Sequence, residues 1–152
     1  MQVREGYPSD IEEVFSKLWG RGRDELLRYG FERQSHALAE FLKFPPDYRH
    51  ALCTDDGEVV AVYGAIPGDN GIYETWFMAT ERFPDIAFSA TRYLRRFIAE
   101  ATSDPKIKGV HITSGVSHPM VPKWFKTLGF HPTRQDGVFH HYEYTALTKN
   151  KK

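Results

Sequence analysis

A chain of 152 residues is long enough to bury one substantial core and short for two. Its 41% hydrophobic and 26% charged residues are ordinary for a globular domain, and aromatics run high at 14%. Twenty basic residues balance twenty acidic ones, which removes the positive field that bulk binding to nucleic acid or an anionic membrane requires.

Local basic groups remain: Arg92, Arg95 and Arg96 fall on one predicted helix, and Lys149, Lys151 and Lys152 make a tail. They read as a solvated face and a solubilising terminus. The single cysteine, Cys53, excludes an intrachain disulfide and a four-thiolate zinc site, and reads as a small buried hydrophobe. No apolar run nears the roughly 20 residues of a membrane span. The first residues form no apolar signal core, so a reducing, cytoplasmic setting is expected.

In chain order, residues 2–5 start a short strand, and Tyr7-Pro8-Ser9-Asp10 is a turn with helix-capping residues. Ile11, Val14, Phe15, Leu18 and Trp19 then repeat at helical spacing. Gly20-Arg21-Gly22 breaks that helix. A second helical region runs to about Leu42, with Leu26, Leu27, Phe31, Leu38, Phe41 and Leu42 as its apolar members, until Pro45-Pro46 ends it. His50–Thr54 and Val59–Ile66 flank the Asp55-Asp56-Gly57 turn as a hairpin. A third strand spans Ile72–Met78, with Ile72, Glu74, Trp76 and Met78 on one side and Tyr73, Thr75 and Phe77 on the other.

Pro84-Asp85 opens the most regular helix, whose stripe is Ala87, Ala90, Thr91, Leu94, Phe97, Ile98 and Ala101; Ser103-Asp104-Pro105 stops it. Val110–Ser114 reads as a buried strand. Val121, Trp124, Phe125 and Leu128 are the apolar side of a last helix. One closing strand is predicted over Gly137–Leu147, with Val138, His140, Tyr142 and Tyr144 on one face. This order predicts an α/β domain: a mixed, mainly antiparallel sheet with helices on both faces. It occupies 1–148 as a single domain, and 149–152 is the basic tail.

The element order, with Trp124-Phe125-Lys126-Thr127-Leu128-Gly129-Phe130, resembles the GNAT superfamily of N-acetyltransferases. The last helix of that family commonly carries Asn-x-x-Ala-x-x-Phe-Tyr-x-Lys-x-Gly-Phe. The start, from Val3-Arg4 to Asp10-Ile11-Glu12-Glu13-Val14, also resembles how such domains begin. More narrowly, "TWFMAT", "SH" and "FKTLG" are similar to short GNAT-like proteins of tailed bacteriophages, some of which serve virion assembly.

The resemblance implies acetyl-CoA as cofactor if the chain is active, gripped by its pyrophosphate at the helix that follows the fourth strand. The family's Arg-x-x-Gly-x-Gly/Ala loop matches Arg82-Phe83-Pro84-Asp85-Ile86-Ala87 at Arg82 and Ala87. Asp85 adds a carboxylate where phosphates belong and is expected to cap the helix instead. The residues that would touch the cofactor are thus Arg82, Asp85, Ile86 and Ala87. The family's proton-donating Tyr falls on Phe125, which has no proton to give, and its Asn falls on His118, either a substitute acid or a helix cap. For the base that must neutralise the acceptor amine, Glu74 and His111 are the candidates, each with a plain structural reading beside it.

No metal site is predicted: His140 and His141 are adjacent and so face opposite ways on a strand, and His111 and His118 lack a third ligand. No Gly-x-Ser-x-Gly elbow or Gly-rich phosphate loop is present. Two functions stay open. The preferred one is an accessory protein of phage type with a degenerate acetyl-CoA site, serving virion assembly or host interaction. It would lie in the host cytoplasm or the virion and meet a protein partner through aromatics such as Trp124, Phe130, Phe139 and Tyr142. The alternative is an active, diverged N-acetyltransferase acting on a protein or small-molecule amine. An open helix start near Asp85 favours the enzyme; Asp85 folded onto that start favours the accessory protein.

Overall fold

The computed structural model describes residues 1–17, 38–39, 41–114, 119–136 and 139–145, with Asp136 and Phe139 described in backbone alone. The strands are β1 Gln2–Glu5, β2 Arg49–Cys53, β3 Val59–Pro67, β4 Ile72–Ala79, β5 Gly109–Ser114, β6 His131–Asp136 and β7 Phe139–Thr145. The helices among the described residues are α1 Pro8–Ser16, α2 Ala87–Ser103 and α3 Met120–Thr127. One sheet holds all seven strands in the order β1-β2-β3-β4-β5-β7-β6. Only the β4–β5 pairing is parallel; the other five are antiparallel. The predicted mixed, mainly antiparallel α/β sheet is therefore the one observed.

Both faces are covered, by different elements. Ile11, Val14 and Phe15 of α1 pack with Phe41, Phe44, Val62, Trp76 and Met78 on one side. Ala90, Leu94 and Ile98 of α2 and Val121 and Phe125 of α3 pack with Tyr63, Phe77 and Ile112 on the other. The two faces of β4 divide as the alternation predicts, Phe77 into one core and Trp76 and Met78 into the other.

Local chemistry accounts for the helix ends. α1 starts on Pro8, whose missing N–H is no loss at a first helical position. Asp10 holds this start from inside the helix, accepting the Tyr7 N–H at 2.7 Å and both Arg4 guanidinium nitrogens at 2.8 Å. α3 stops at Gly129, whose φ of +97° suits a residue without a Cβ. The Phe130 N–H reaches back to the Phe125 carbonyl at 2.9 Å, and the Gly129 N–H to the Lys126 carbonyl at 3.0 Å. With the Phe125 and Phe130 rings 5.9 Å apart, this is a Schellman stop with its apolar contact. The segment "WFKTLGF" is therefore, first of all, a helix terminator.

Three expectations need correction. The single closing strand is two: His131–Asp136 forms the sheet edge and pairs antiparallel with Phe139–Thr145. Residues 131–135 are all exposed and Pro132 lies among them, so neither apolar alternation nor strand propensity announced β6; edge strands tolerate both features. The predicted second helix falls largely outside the described residues. At its end Phe41 is fully buried, whereas Leu42 is exposed rather than apolar core. Last, Phe130 and Tyr142, expected as surface contacts, are core residues at 3% and 2% exposure. Trp124 is half-buried and ties α3 to α2 by donating its indole N–H to Thr91 Oγ1 at 2.7 Å. The side chain of Phe139 and all of Val138 lie outside the described residues.

Candidate active site

The parallel pair β4–β5 sets the geometry. Their register runs from Ile72↔Gly109 to Phe77↔Ser114. Beyond Phe77, β4 continues on its β3 side alone, where the Thr80 N–H bonds the Val60 carbonyl at 2.8 Å. The two strands thus part at their carboxyl ends, with α2 following one and α3 following the other. In open α/β sheets, ligands bind outside such strand ends.

On the α1 side of this region, side chains from three strands meet. The register places Glu74 beside His111, and Thr113 beside His141. Glu74 Oε2 lies 2.7 Å from His111 Nδ1, and His111 Nε2 lies 2.9 Å from His141 Nδ1. The two imidazoles are nearly parallel, at 8° with centroids 5.0 Å apart. Thr113 Oγ1 approaches His141 Nδ1 at 3.4 Å. The outer end of this chain is accessible, with the Glu74 side chain 47% exposed and His111 16%. The inner end, His141, is buried at 7%.

An ionised Glu74 takes the Nδ1 proton of His111, which leaves His111 Nε2 to accept the Nδ1 proton of His141. The two imidazoles share one proton across the 2.9 Å contact. Charging both would set N–H against N–H, so the three groups exchange protons as one unit. Such a chain suits a carboxylate that must take a proton from an incoming amine.

Glu74 and His111, predicted as separate candidates, are thus brought together. His118 lies outside the described residues. His141 was missed as a site residue: its place on the strand face was legible, but the neighbour it meets depends on the β5–β7 register. Among the described residues no group of three His, Cys, Asp or Glu is placed to hold a metal ion.

The predicted cofactor residues lie at the start of α2. Phe83–Asp85 forms a 3₁₀ turn, so the helix begins at Ala87 rather than at Asp85. Asp85 does not cap it, contrary to expectation. Its carboxylate accepts from Arg82 Nε at 3.0 Å, and Arg82 Nη1 also reaches Glu58 Oε2 at 2.5 Å. These bonds, Asp85's first and Glu58's second, raise the Arg82 pKa above its ordinary value. Ile86, buried at 6%, stands at the cap position, and no side chain bonds this end. The first helical hydrogen bond is from the Ala90 N–H to the Ile86 carbonyl, 2.8 Å. The N–H groups of Ala87, Phe88 and Ser89 precede it and face outward along the helix axis. An anion at this start meets open donors and the positive end of a 17-residue helix.

Phe125 is wholly buried, with the Tyr142, Phe77 and Phe130 rings 4.5, 5.8 and 5.9 Å away. Cys53 is buried too, and burial pushes its thiol pKa up, which keeps it unreactive. Among the described residues, two buried side-chain nitrogens have no hydrogen-bond partner: Trp76 Nε1 and Arg49 Nε. Each such orphan costs about 1–3 kcal/mol.

Solved structures with this architecture cover nearly the whole chain. A chimera of the spermidine N-acetyltransferase SpeG from Vibrio cholerae and hSSAT matches with a TM-score of 0.59 at 10% identity, covering 100% of both chains. Ard1 from Thermoplasma volcanium matches at 0.61 and 14% identity, over 95% of this chain and 96% of that one. The chain has the GNAT fold. A third match is a GNAT-superfamily phosphinothricin acetyltransferase from Sinorhizobium meliloti, in complex with AcCoA. Its TM-score is 0.50 at 12% identity, over 95% of this chain and 87% of that one. At these identities the likeness is one of fold. No protein-family model matches the sequence, and no curated protein matches it. No helix among the described residues is long and apolar enough to cross a membrane.

Proposed function

We propose that this GNAT-fold protein is an acetyl-CoA-dependent N-acetyltransferase acting on an amine. The observation that carries the reading is the state of the α2 start: Asp85 is engaged by Arg82, and no side chain caps the helix. Acetyl-CoA fits this start, since the N–H groups of Ala87, Phe88 and Ser89 and the helix dipole suit its pyrophosphate. Arg82 stands beside them as a cation. When bound, acetyl-CoA supplies an acyl group activated as a thioester.

The chain's own residues then have one main task, which is to present a neutral amine. Glu74 takes the ammonium proton on a carboxylate whose Oε2 is fixed by His111. His111 is fixed in turn by His141, so the base is oriented before the amine arrives. Phe125 donates no proton to the departing thiolate, and the amine's remaining proton serves that need.

One feature favours a second reading, an accessory protein of the kind tailed phages encode, with a degenerate site. Phe125 fills the family's Tyr position and is fully buried. Calorimetric titration with acetyl-CoA separates the two. The enzyme reading expects micromolar binding, followed by acetylation of an amine from a panel of peptides and small amines. Absence of binding at millimolar acetyl-CoA sinks it and leaves the accessory reading standing.

A further inference from the structure

Trp76 is 2% exposed, yet its indole N–H has no hydrogen-bond partner. Buried indole N–H groups are normally satisfied. Trp124, half a turn of chemistry away on α3, shows the usual outcome by bonding Thr91 at 2.7 Å. Position makes the orphan informative. Trp76 stands two residues beyond Glu74 on the same face of β4, about 7 Å along the strand. Its β5 neighbour is Thr113, and β4 and β5 stop pairing one residue later, at Phe77↔Ser114. An unused donor therefore sits between the carboxylate of the proton chain and the point where the strands part. The other orphan, Arg49 Nε, is two strands away, with its guanidinium over the Phe41 ring at 6.0 Å, and cannot serve the same atom.

We propose that the Trp76 indole N–H receives the acyl oxygen during acetyl transfer, which makes Trp76 a catalytic residue. The inference rests on the acetyltransferase reading. Glu74 takes one proton from the ammonium, and the freed nitrogen lone pair forms the N–C bond to the thioester carbon. The carbonyl π electrons move onto oxygen, and the indole N–H donates to that negative charge. As the C=O bond re-forms, the C–S bond breaks and its electron pair leaves on sulfur. The nitrogen's surplus proton passes to the thiolate. The products are the amide, CoA thiol and protonated Glu74. A donor in place beforehand, and without a competing partner, is the arrangement that stabilises charge developing on oxygen.

The test uses the whole protein, with indole nitrogens labelled, and two unreactive probes. Acetonyl-CoA keeps the carbonyl and replaces the scissile sulfur linkage with a stable ketone; S-ethyl-CoA has no carbonyl. The Trp76 Nε1–H proton resonance is expected to move downfield with saturating acetonyl-CoA and to stay in place with S-ethyl-CoA. Trp76→Phe is expected to lower kcat about a hundredfold with little change in the KM for acetyl-CoA, while the melting temperature holds or rises as the orphan is removed. The same shift with both probes, or no shift with either when calorimetry shows both bound, overturns the assignment. So does a Trp76→Phe variant that melts lower at unchanged kcat, which would make the indole a packing partner of Phe41 (ring centroids 5.8 Å apart). If neither probe binds by calorimetry, the acetyltransferase reading itself falls, and this assignment with it.

Discussion

The two sides of β4 follow opposite rules. Toward α2 and α3, Tyr73 and Phe77 meet aromatic rings edge-on, among them Phe97 at 5.3 Å and Phe83 at 5.5 Å. Even the hydroxyl of Thr75 is satisfied there, by the His111 carbonyl at 2.6 Å. Toward α1, the same strand carries a half-exposed carboxylate in a proton chain and, two residues on, a buried N–H with no partner. One side is built for stability and the other sacrifices some of it. Proteins keep unsatisfied or coupled polar groups mainly where chemistry requires them.

Substitutions on the two sides should therefore separate stability from activity. The largest effect is expected from Phe125→Ala, which removes a fully buried ring from the first core. It should lower unfolding free energy by about 3–5 kcal/mol in urea melts. A loss under about 1 kcal/mol would show that this face is loosely packed and the contrast false. Phe125→Tyr restores the residue the family pattern carries, but buries a hydroxyl. We expect about 1–3 kcal/mol of destabilisation and no gain in turnover, measured by melting and by thiol release.

On the other side, Glu74→Gln should leave the melting temperature nearly unchanged while turnover falls on the order of a hundredfold. Equal turnover in the variant would remove Glu74 from the mechanism. Asp85→Asn tests the helix start: with one negative charge fewer beside the phosphates, acetyl-CoA should bind roughly two- to five-fold tighter at low salt. Weaker binding would mean that Asp85 orients Arg82 for the cofactor instead.

The smallest effect concerns His50, on the structural side, stacked on Tyr63 at 5.5 Å. Burial holds its pKa below the ordinary 6.5. Between that lowered value and 6.5 the unfolded chain binds a proton that the fold refuses. Stability is thus full above pH 6.5 and falls as pH drops through this window. His50→Gln should flatten that slope in melts taken across the window, and an unchanged slope would assign it to other groups.

The fold was legible because its helices and inner strands each bury one side of a periodic pattern. Ala90, Leu94, Ile98 and Ala101 announce α2 and its face before any partner is known. β6 was not legible, since an exposed polar edge strand has no pattern to show. Of the candidate site, Glu74 and His111 were readable as polar groups at interior-strand positions. Their union with His141 was not, because it joins positions 37 and 30 residues apart through strand register.

By itself, then, the sequence determined the mixed sheet, the helices on both faces and the Gly129 stop, all of which rest on interactions between near neighbours in the chain. Tertiary structure alone decided that Asp85 turns to Arg82 rather than to the helix. It also decided that Glu74, His111 and His141 form one chain, and that the Trp76 indole is left without a partner. Each of these depends on which strand lies beside which and in what register, and a sum over long-range contacts leaves no local mark on the residues that make them.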